Sequence, residues 1–259
     1  MSTLTDVQGN QDISSKPAGI GLRSAVMVYS LLSYAVGMAG LFWLILAMGG
    51  LLPYGFGPLK TDNPVSAILL NAGLIALFGL QHTVMARRSF KQKLTAYIPE
   101  PVERSSFVLA SGLVVALAVW CWQPLPGMVW TVDNSMLRII LWVLFTAGWG
   151  YLVLSTLVTN HFELFGLRQA YLYFRGIPYT PVSFVRKWMY TYSRHPMMLG
   201  VLIGMWSIPE MSVSHFILST LLSLYIIIGL YFEEKDLIRN FGDTYRDYKK
   251  DIGVFLTMK

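Results

Sequence analysis

Apolar residues are gathered into long runs along this chain, and polar residues are concentrated between the runs. Four runs approach or exceed the roughly 20 residues that a helix needs to cross a bilayer. They are Leu22–Leu52, Val65–Met85, Ser106–Trp122 and Met136–Val158. Runs of this length and apolar character predict membrane-spanning helices.

The last two apolar runs predict a helical hairpin with one short arm. Pro196–Ile208 has about 13 residues, a rise of only about 20 Å as a helix, whereas Val213–Phe232 is long enough to span. We therefore expect an all-α, polytopic integral membrane bundle of five to six transmembrane helices. A C-terminal helical hairpin and a cytoplasmic tail helix complete the expected fold.

The same pattern divides the chain into three parts. Residues 1–21 lack the apolar centre of a secretory signal and are predicted to be a disordered cytoplasmic tail. Residues 22–158 are expected to form a four-helix transmembrane region. Residues 159–259 contain a polar cap, the hairpin and the tail helix, and hold most of the polar residues of interest.

Lysine and arginine alternate between loops in step with the six apolar runs. The loop MARRSFKQK, the stretch 159–194 and the region 233–259 are rich in both, whereas the loops between them hold only Lys60. Because cytoplasmic loops carry such an excess, we expect an inner-membrane protein with both termini in the cytoplasm. The two polar regions near the C-terminus then share the cytoplasmic face.

Composition agrees with a membrane protein and excludes several other classes. The chain is 54% hydrophobic and 13% charged, against about 25% charged in soluble proteins. The net charge of +6 is better explained by anionic lipid than by nucleic acid, since no basic stretch has aromatics spaced to stack bases. A single cysteine, Cys121, excludes an internal disulfide and a thiolate zinc cluster.

No motif predicts a metal, a nucleotide-binding loop or an obligate protein partner. The chain has no Walker loop, no dinucleotide glycine fingerprint and no HExxH zinc motif. Four scattered histidines leave metal or haem binding open, since only their pairing in the fold decides it.

The stretch SRHPMMLG places two polar side chains directly before an apolar run. Pro196 suits the first turn of a helix, so Arg194 and His195 lie at a helix start whose N–H groups favour an anionic group. Gly200 and Gly204 allow a neighbouring backbone or a ligand to approach closely. The alternative is an arginine that snorkels to the membrane interface.

Acidic residues follow the sixth run in the stretch EEKD. Glu233, Glu234 and Asp236 are not needed for topology, although they can simply begin a solvated helix. The hairpin brings this stretch close to the arginine–histidine pair, which predicts one pocket with cations, carboxylates and aromatic rings. The candidate rings are Tyr190, Tyr192, Tyr245 and Tyr248.

Two further polar groups border the apolar runs. His161, Glu163 and Arg168 follow the fourth run in the stretch NHFELFGLRQ, which can alternatively be an amphipathic interfacial helix. His82 lies about one turn inside the second run, where a histidine indicates either function or a satisfied bundle-facing side chain.

Several of these stretches resemble known families. SRHPMMLG, the hairpin and EEKDLIRNFGDTYRDY resemble the C-terminal module of isoprenylcysteine carboxyl methyltransferases and their bacterial relatives. LQHTVMAR, NHFELFGLRQ and YTP are similar to the bacterial methanethiol S-methyltransferases. Met198 stands where the family usually has tyrosine, and GVFLTMK replaces its usual proline-rich ending.

The resemblance implies a membrane methyltransferase that uses S-adenosylmethionine and converts methanethiol to dimethyl sulfide. Its catalytic module would be 159–259, and its partners a small-molecule thiol and the lipid bilayer. The implied cofactor-binding residues are Tyr190, Tyr192, Arg194, His195, Pro196, Gly200, Glu233, Glu234, Asp236 and Tyr245.

A thiol attacks best as a thiolate, so a nearby base would help. We expect His161, oriented by Glu163, to assist deprotonation or to place the thiol, with Arg168 and His82 as second choices. Two alternatives stay open: methylation of an isoprenylcysteine or another lipophilic small molecule, and a non-enzymatic haem-binding or transport protein.

Overall fold

The computed structural model describes residues 19–181 and 186–257, so most of the predicted tail 1–21 lies outside the described residues. Its helices are α1 (Ile20–Met48), α2 (Pro64–Ala86), α3 (Arg88–Thr95), α4 (Glu103–Cys121), α5 (Ser135–Thr159), α6 (His161–Leu164), α7 (Leu167–Arg175), α8 (Pro196–Trp206), α9 (Val213–Phe241) and α10 (Asp243–Asp251). Short 3-10 helices occupy Glu100–Val102 and Trp188–Thr191, and the strands are β1 (Met128–Thr131) and β2 (Glu210–Ser212).

Five helices in the described part of the chain, α1, α2, α4, α5 and α9, are long and apolar enough to cross a membrane. The predicted polytopic helical bundle is therefore confirmed, as is the tail helix, which is α10. Most side chains of the long helices face outward, which suits an apolar solvent such as lipid. The three-part division of the chain stays a prediction.

Polar side chains determine where three of the spanning helices begin. Asn63 precedes α2, and its side-chain oxygen accepts from the N–H groups of Val65 and Ser66 at 2.9 and 3.1 Å. Asn134 caps α5 and Ser212 caps α9 in the same way. Such caps satisfy N–H groups that a helix start otherwise leaves unpaired.

A two-stranded antiparallel ribbon marks one face of the bundle. β1, between α4 and α5, pairs with β2, between α8 and α9. We call this face the ribbon face, and the opposite one, where α6, α7 and α10 lie, the cap face. The sequence did not predict the ribbon, because each strand is only a few residues long.

The short helix α8 still carries the chain from the cap face to the ribbon face. Its 11 residues rise about 16 Å, and the non-helical residues 207–209 then lead to β2. Within residues 19–181 and 186–257 the chain therefore passes between the two faces six times, with five passages made by long helices. This geometry accounts for the expected number of five to six helices.

Glycines allow α8 to pack closely against α5. A Cβ atom at Gly148 would lie 2.4 Å from the backbone nitrogen of Gly204 and 2.8 Å from the carbonyl oxygen of Gly200. These distances leave no room for a side chain, so two backbones meet directly. The close approach predicted at Gly200 and Gly204 is thus made by a neighbouring helix.

Candidate active site

A buried ion pair lies on the cap face where the chain enters α8. Arg194 Nη2 is 2.8 Å from Oε1 of Glu234 on α9, and these two side chains are only 6% and 11% exposed. Lys249 of α10 places its Nζ 2.5 Å from Oε2 of the same carboxylate. The predicted meeting of Arg194 and Glu234 is therefore observed, and the snorkelling alternative does not describe Arg194.

Backbone oxygens complete the surroundings of the guanidinium. Arg194 Nη1 donates to the carbonyl oxygens of Lys249 and Ile252, both at 2.9 Å. Good hydrogen-bond geometry of this kind offsets the cost of removing charges from water. Among the described residues, Nε of Arg194 is buried and has no hydrogen-bond partner, so one donor is left for a ligand.

His195 connects the two glutamates at the end of α9. Its Nε2 lies 3.4 Å from Oε1 of Glu234, and its Nδ1 lies 3.8 Å from Oε2 of Glu233. The side chain of Glu233 is 49% exposed, so its carboxylate remains accessible to a ligand. We call Arg194, His195, Glu233, Glu234 and Lys249 the charged cluster.

Tyrosines pack beside the charged cluster. Tyr248 donates from its hydroxyl to the carbonyl oxygens of Tyr190 at 2.6 Å and Ser193 at 3.2 Å, and its ring packs edge to face on Tyr245. Burial raises the pKa of both Tyr190 and Tyr248 to about 12, so both hydroxyls stay neutral at cellular pH. Burial likewise raises the pKa of Tyr245.

Two predicted cofactor-binding side chains lie outside this cluster. The Tyr192 side chain is 68% exposed. Asp236 forms ion pairs with Arg239 at 2.9 Å and with Arg87 at 3.8 Å, and so links α9 to the start of α3. The structure gives Asp236 a role in joining helices and does not bring it to Arg194.

The stretch 253–257 forms a strand-like partner for the arginine–histidine segment. The N–H groups of Arg194 and His195 donate to the carbonyl oxygens of Gly253 and Val254 at 3.0 and 3.1 Å, and Thr257 N–H donates to Tyr192 O at 2.9 Å. The N–H groups just before Pro196 are therefore used by the protein itself. Sequence reasoning assigned this stretch no role.

His161 lies between two long helices. Its Nδ1 is 2.8 Å from the hydroxyl oxygen of Thr156 on α5, and its Nε2 is 2.8 Å from the hydroxyl oxygen of Tyr34 on α1. The ring also packs on Phe165, with ring centroids 4.6 Å apart. Burial lowers the pKa of His161, which favours the neutral ring.

The expectation that Glu163 orients His161 is wrong. The Glu163 carboxylate accepts from Tyr179 at 2.5 Å and Gln169 at 3.0 Å, and it pairs with Arg168 at 2.8 Å. The reason is the backbone between α5 and α6, where Asn160 has φ +90° and turns the chain sharply. The ion pair between Glu163 and Arg168 therefore joins α6 to α7.

His82 faces a cavity in the middle of the bundle. The cavity has a volume of about 390 Å³, and its lining includes His82, Tyr225 of α9 and Met198 of α8. The Tyr225 hydroxyl lies 2.9 Å from His82 Nδ1. His161, Glu163 and Arg168 are not among the lining residues, so His82 is the predicted catalytic residue best placed for an apolar ligand in this cavity.

Three contributions were missed from the sequence. From the sequence, Lys249 is only part of a basic cytoplasmic end, and Tyr34 and Tyr225 are ordinary residues of apolar runs, whereas the structure gives each a polar partner. The sequence signal available for the two tyrosines was their position within a spanning run, where a hydroxyl needs a polar partner such as a histidine from another part of the chain. In the described residues, no group of three or more His, Cys, Asp or Glu side chains is arranged for a metal ion.

The fold and the charged cluster define a polytopic helical membrane protein, and comparison with known proteins specifies its family. Residues 69–249 match the model of the NnrU protein family. The methanethiol S-methyltransferase of Mycobacterium tuberculosis (strain ATCC 25618 / H37Rv) is 36% identical over 239 residues, which cover 90% of this chain and 96% of that protein. That of Pseudomonas deceptionensis is 39% identical over 245 residues, 93% of this chain and 92% of that protein.

The chain therefore belongs to the NnrU protein family, and within it to the group of enzymes named methanethiol S-methyltransferase. This membership confirms the resemblance seen in the short stretches of sequence. Nurim of Bos taurus is a more distant relative, 26% identical over 187 residues, which cover 69% of this chain and 71% of that protein. No solved structure matches the chain.

Proposed function

We propose that this protein transfers a methyl group from S-adenosylmethionine to methanethiol and so forms dimethyl sulfide. The observation that carries the proposal is the similarity to enzymes named for this substrate, which extends over at least 90% of both chains for the two relatives above. Six apolar passages and an apolar cavity support a volatile, lipid-soluble substrate.

The charged cluster fits S-adenosylmethionine by its chemistry. The unpartnered Nε of Arg194 can donate to a carboxylate, and the exposed carboxylate of Glu233 can accept from an ammonium group or from ribose hydroxyls. When bound, S-adenosylmethionine supplies a methyl group on a positively charged sulfur and leaves as a thioether.

The protein's own part in the reaction is to orient the thiol, accept its proton and exclude water. His82 Nδ1 is taken by Tyr225, and no hydrogen bond to His82 Nε2 is found in the described part of the chain. In the tautomer whose Nδ1–H donates to the Tyr225 hydroxyl, Nε2 carries no proton, so it can accept the thiol proton and leave a thiolate, the better nucleophile. Both ring nitrogens of His161 already have protein partners, which supports a positioning role for His161 between α1 and α5.

Turnover by the purified protein tests the proposal. Protein in lipid nanodiscs, supplied with S-adenosylmethionine and methanethiol, is expected to release dimethyl sulfide, measured by gas chromatography. Glu233→Gln is expected to raise the KM for S-adenosylmethionine about tenfold or more, because a charged hydrogen-bond acceptor is lost. Asp243→Asn is the matched control, since Asp243 is exposed and pairs only with Arg246 of its own helix in the described structure.

Two results would contradict the proposal. One is the absence of dimethyl sulfide at any cofactor concentration. The other is a Soret absorption band in protein that shows no turnover, which would support the haem-binding alternative.

A further inference from the structure

The central cavity is larger than methanethiol requires. Its volume of about 390 Å³ falls within the range of about 300–1,000 Å³ that is typical of sites for drug-sized molecules. Methanethiol has only one carbon and one sulfur atom. Most of the cavity is therefore space that this substrate would not fill.

The lining favours an apolar ligand over most of its surface. Aromatic rings and thioethers from four spanning helices and from α8 face the space, among them Phe78, Trp122, Trp149, Met198 and Met205. Each methylene or aromatic carbon placed against such a surface adds favourable burial. Methionine side chains also adapt to ligands of different shape.

Three polar side chains at the ribbon end of the cavity have partners in the protein. Glu210 pairs with Arg138 at 2.7 Å, and His215 Nε2 lies 2.8 Å from the carbonyl oxygen of Met205. Ser214 accepts from a backbone N–H at 2.5 Å. These three side chains therefore make no demand for a polar group on the ligand, whereas the buried indole Nε1 of Trp149 has no hydrogen-bond partner among the described residues.

The other end of the cavity approaches the charged cluster. Met198 follows His195 by three residues at the start of α8, and Ile226 lies two turns before Glu233 on α9. His82 and Tyr225 line the same space, and His82 Nε2, which has no hydrogen-bond partner among the described residues, is a proton acceptor when Nδ1–H donates to Tyr225. The cavity thus matches a ligand that has one acidic group and a sizeable apolar body.

We propose that the cavity binds lipophilic alkyl and aryl thiols larger than methanethiol as further methyl acceptors. The inference rests on the proposed function. The S–H proton passes to His82 Nε2, and the thiol sulfur forms a bond to the methyl carbon of the sulfonium donor. The donor's carbon–sulfur bond breaks, and its electron pair stays on the donor sulfur. Tyr225 acts through His82 as a positioning residue.

A comparison of three thiols tests the inference. Full-length protein in nanodiscs receives S-adenosylmethionine with methanethiol, 1-hexanethiol or benzyl mercaptan, and the methyl thioethers are measured by gas chromatography with mass detection. We expect kcat/KM for the two larger thiols to be within about tenfold of the methanethiol value or above it. Turnover of methanethiol alone overturns this inference and leaves the proposed function intact. Loss of methanethiol turnover contradicts the proposed function.

Substitution of Val201 tests whether the larger thiols bind in the cavity. Val201→Phe fills part of the cavity, and it is expected to lower kcat/KM for benzyl mercaptan about tenfold more than kcat/KM for methanethiol. Val153→Phe makes the same change at an outward-facing position, 41% exposed, and should leave both values within about twofold. Equal effects of Val201→Phe on both thiols would overturn the assignment.

A binding measurement and a second variant complete the test. Benzyl methyl sulfide, an unreactive product, is expected to raise the melting temperature of wild-type protein without cofactor and to have a smaller effect on Val201→Phe. Tyr225→Phe keeps the ring and removes the hydroxyl, so kcat should fall for every thiol while KM changes little. An unchanged kcat would remove Tyr225 from its positioning role.

Discussion

Arg194 is held by three oxygens from two separate parts of the chain. Glu234 of α9 supplies a carboxylate, and the carbonyl groups of Lys249 and Ile252 supply two further acceptors. A planar guanidinium can satisfy such a divergent set, whereas an ammonium group cannot. The residue therefore joins the entry of α8 to the end of α9 and to α10.

Arg194→Lys is expected to be severe although the charge is kept. Breaking a buried ion pair costs about 3–5 kcal/mol. We expect the free energy of unfolding of this variant to fall by an amount that approaches this value, and we expect it to lose cofactor binding. Denaturation of the detergent-solubilised protein and calorimetric titration with S-adenosylmethionine measure the two effects. Arg186→Lys is the control, because Arg186 pairs with Asp251 at the surface, where a pair is worth about 0–1 kcal/mol. Similar losses in the two variants would contradict this role.

The buried phenols beside the cluster predict a loss of stability in alkali. The pKa of Tyr248 is raised to about 12 by burial, against an ordinary value of about 10. Its stabilising contribution is complete below about pH 10 and decreases as pH rises toward 12, because the unfolded chain loses the proton first. Alkaline unfolding with tyrosinate absorbance measures this, and Tyr248→Phe should flatten that part of the curve. Tyr97→Phe, at an 89% exposed position, should leave the curve unchanged.

Much of the charged cluster is predictable from the sequence, whereas fewer of the residues that hold it in place are. Arg194 and Glu234 were predictable because charges next to an apolar run are costly and a hairpin brings its ends together. Lys249 was not, since its position depends on the turn at Gly242, with φ +56°, that redirects α10 against α9. The pairing of His161 with Tyr34 depends on helix rotation, which an apolar run does not reveal.

Among the elements, α8 depends most on its neighbour. It has only 11 residues, and its glycines bring its backbone into direct contact with α5. Four of the long helices were predicted to within a few residues because apolar length is a direct signal, whereas α9 continues past the predicted end at Phe232 to Phe241. The ribbon of β1 and β2 was not, since it pairs segments about 80 residues apart.

A matched pair of glycine substitutions tests the contact between α5 and α8. Gly148→Ala places a methyl group against the backbone of Gly204 and should lower the free energy of unfolding by about 1–3 kcal/mol through overpacking. Gly150→Ala, two residues later on the same helix, meets nothing within 4 Å and should be neutral or slightly stabilising. Thermal unfolding in one detergent compares the two, and equal melting temperatures would refute the close contact.

Removal of the stretch that begins at Gly253 tests a second element. Three backbone hydrogen bonds to the segment 192–195 are lost, each worth about 0.5–1.5 kcal/mol. We expect the truncated protein to insert normally but to lose most cofactor binding, measured by titration. Leu256→Ala, at a 66% exposed position, is the control and should bind normally. Normal binding by the truncated protein would show that the pairing is dispensable.

For the whole molecule, the ribbon and the cap define two opposite faces. Lys60 and Arg138 lie toward the ribbon face, whereas the charged cluster and the basic residues of α3 and α10 lie on the cap face. This asymmetry predicts that the cap face is cytoplasmic, where S-adenosylmethionine is available. An even number of passages predicts both termini on that side.

Labelling of single cysteines tests this orientation. With Cys121 replaced by serine, Asp133→Cys on the ribbon face should react with a membrane-impermeant maleimide in intact spheroplasts. Tyr97→Cys, 89% exposed on the cap face, should react only after permeabilisation. The reverse pattern would invert the orientation.

The pairing of 253–257 with 192–195 has a consequence for biosynthesis. All five long helices precede this stretch in the order of translation. The hydrogen bonds between the arginine–histidine segment and its strand-like partner therefore form only after these helices have been synthesised. A nascent chain still in the translocon therefore has its helices but lacks this backbone pairing beside Arg194 and His195. We predict that methyl transfer begins only after synthesis has passed residue 257, and that a polypeptide stalled or cleaved before this stretch stays in the membrane without activity.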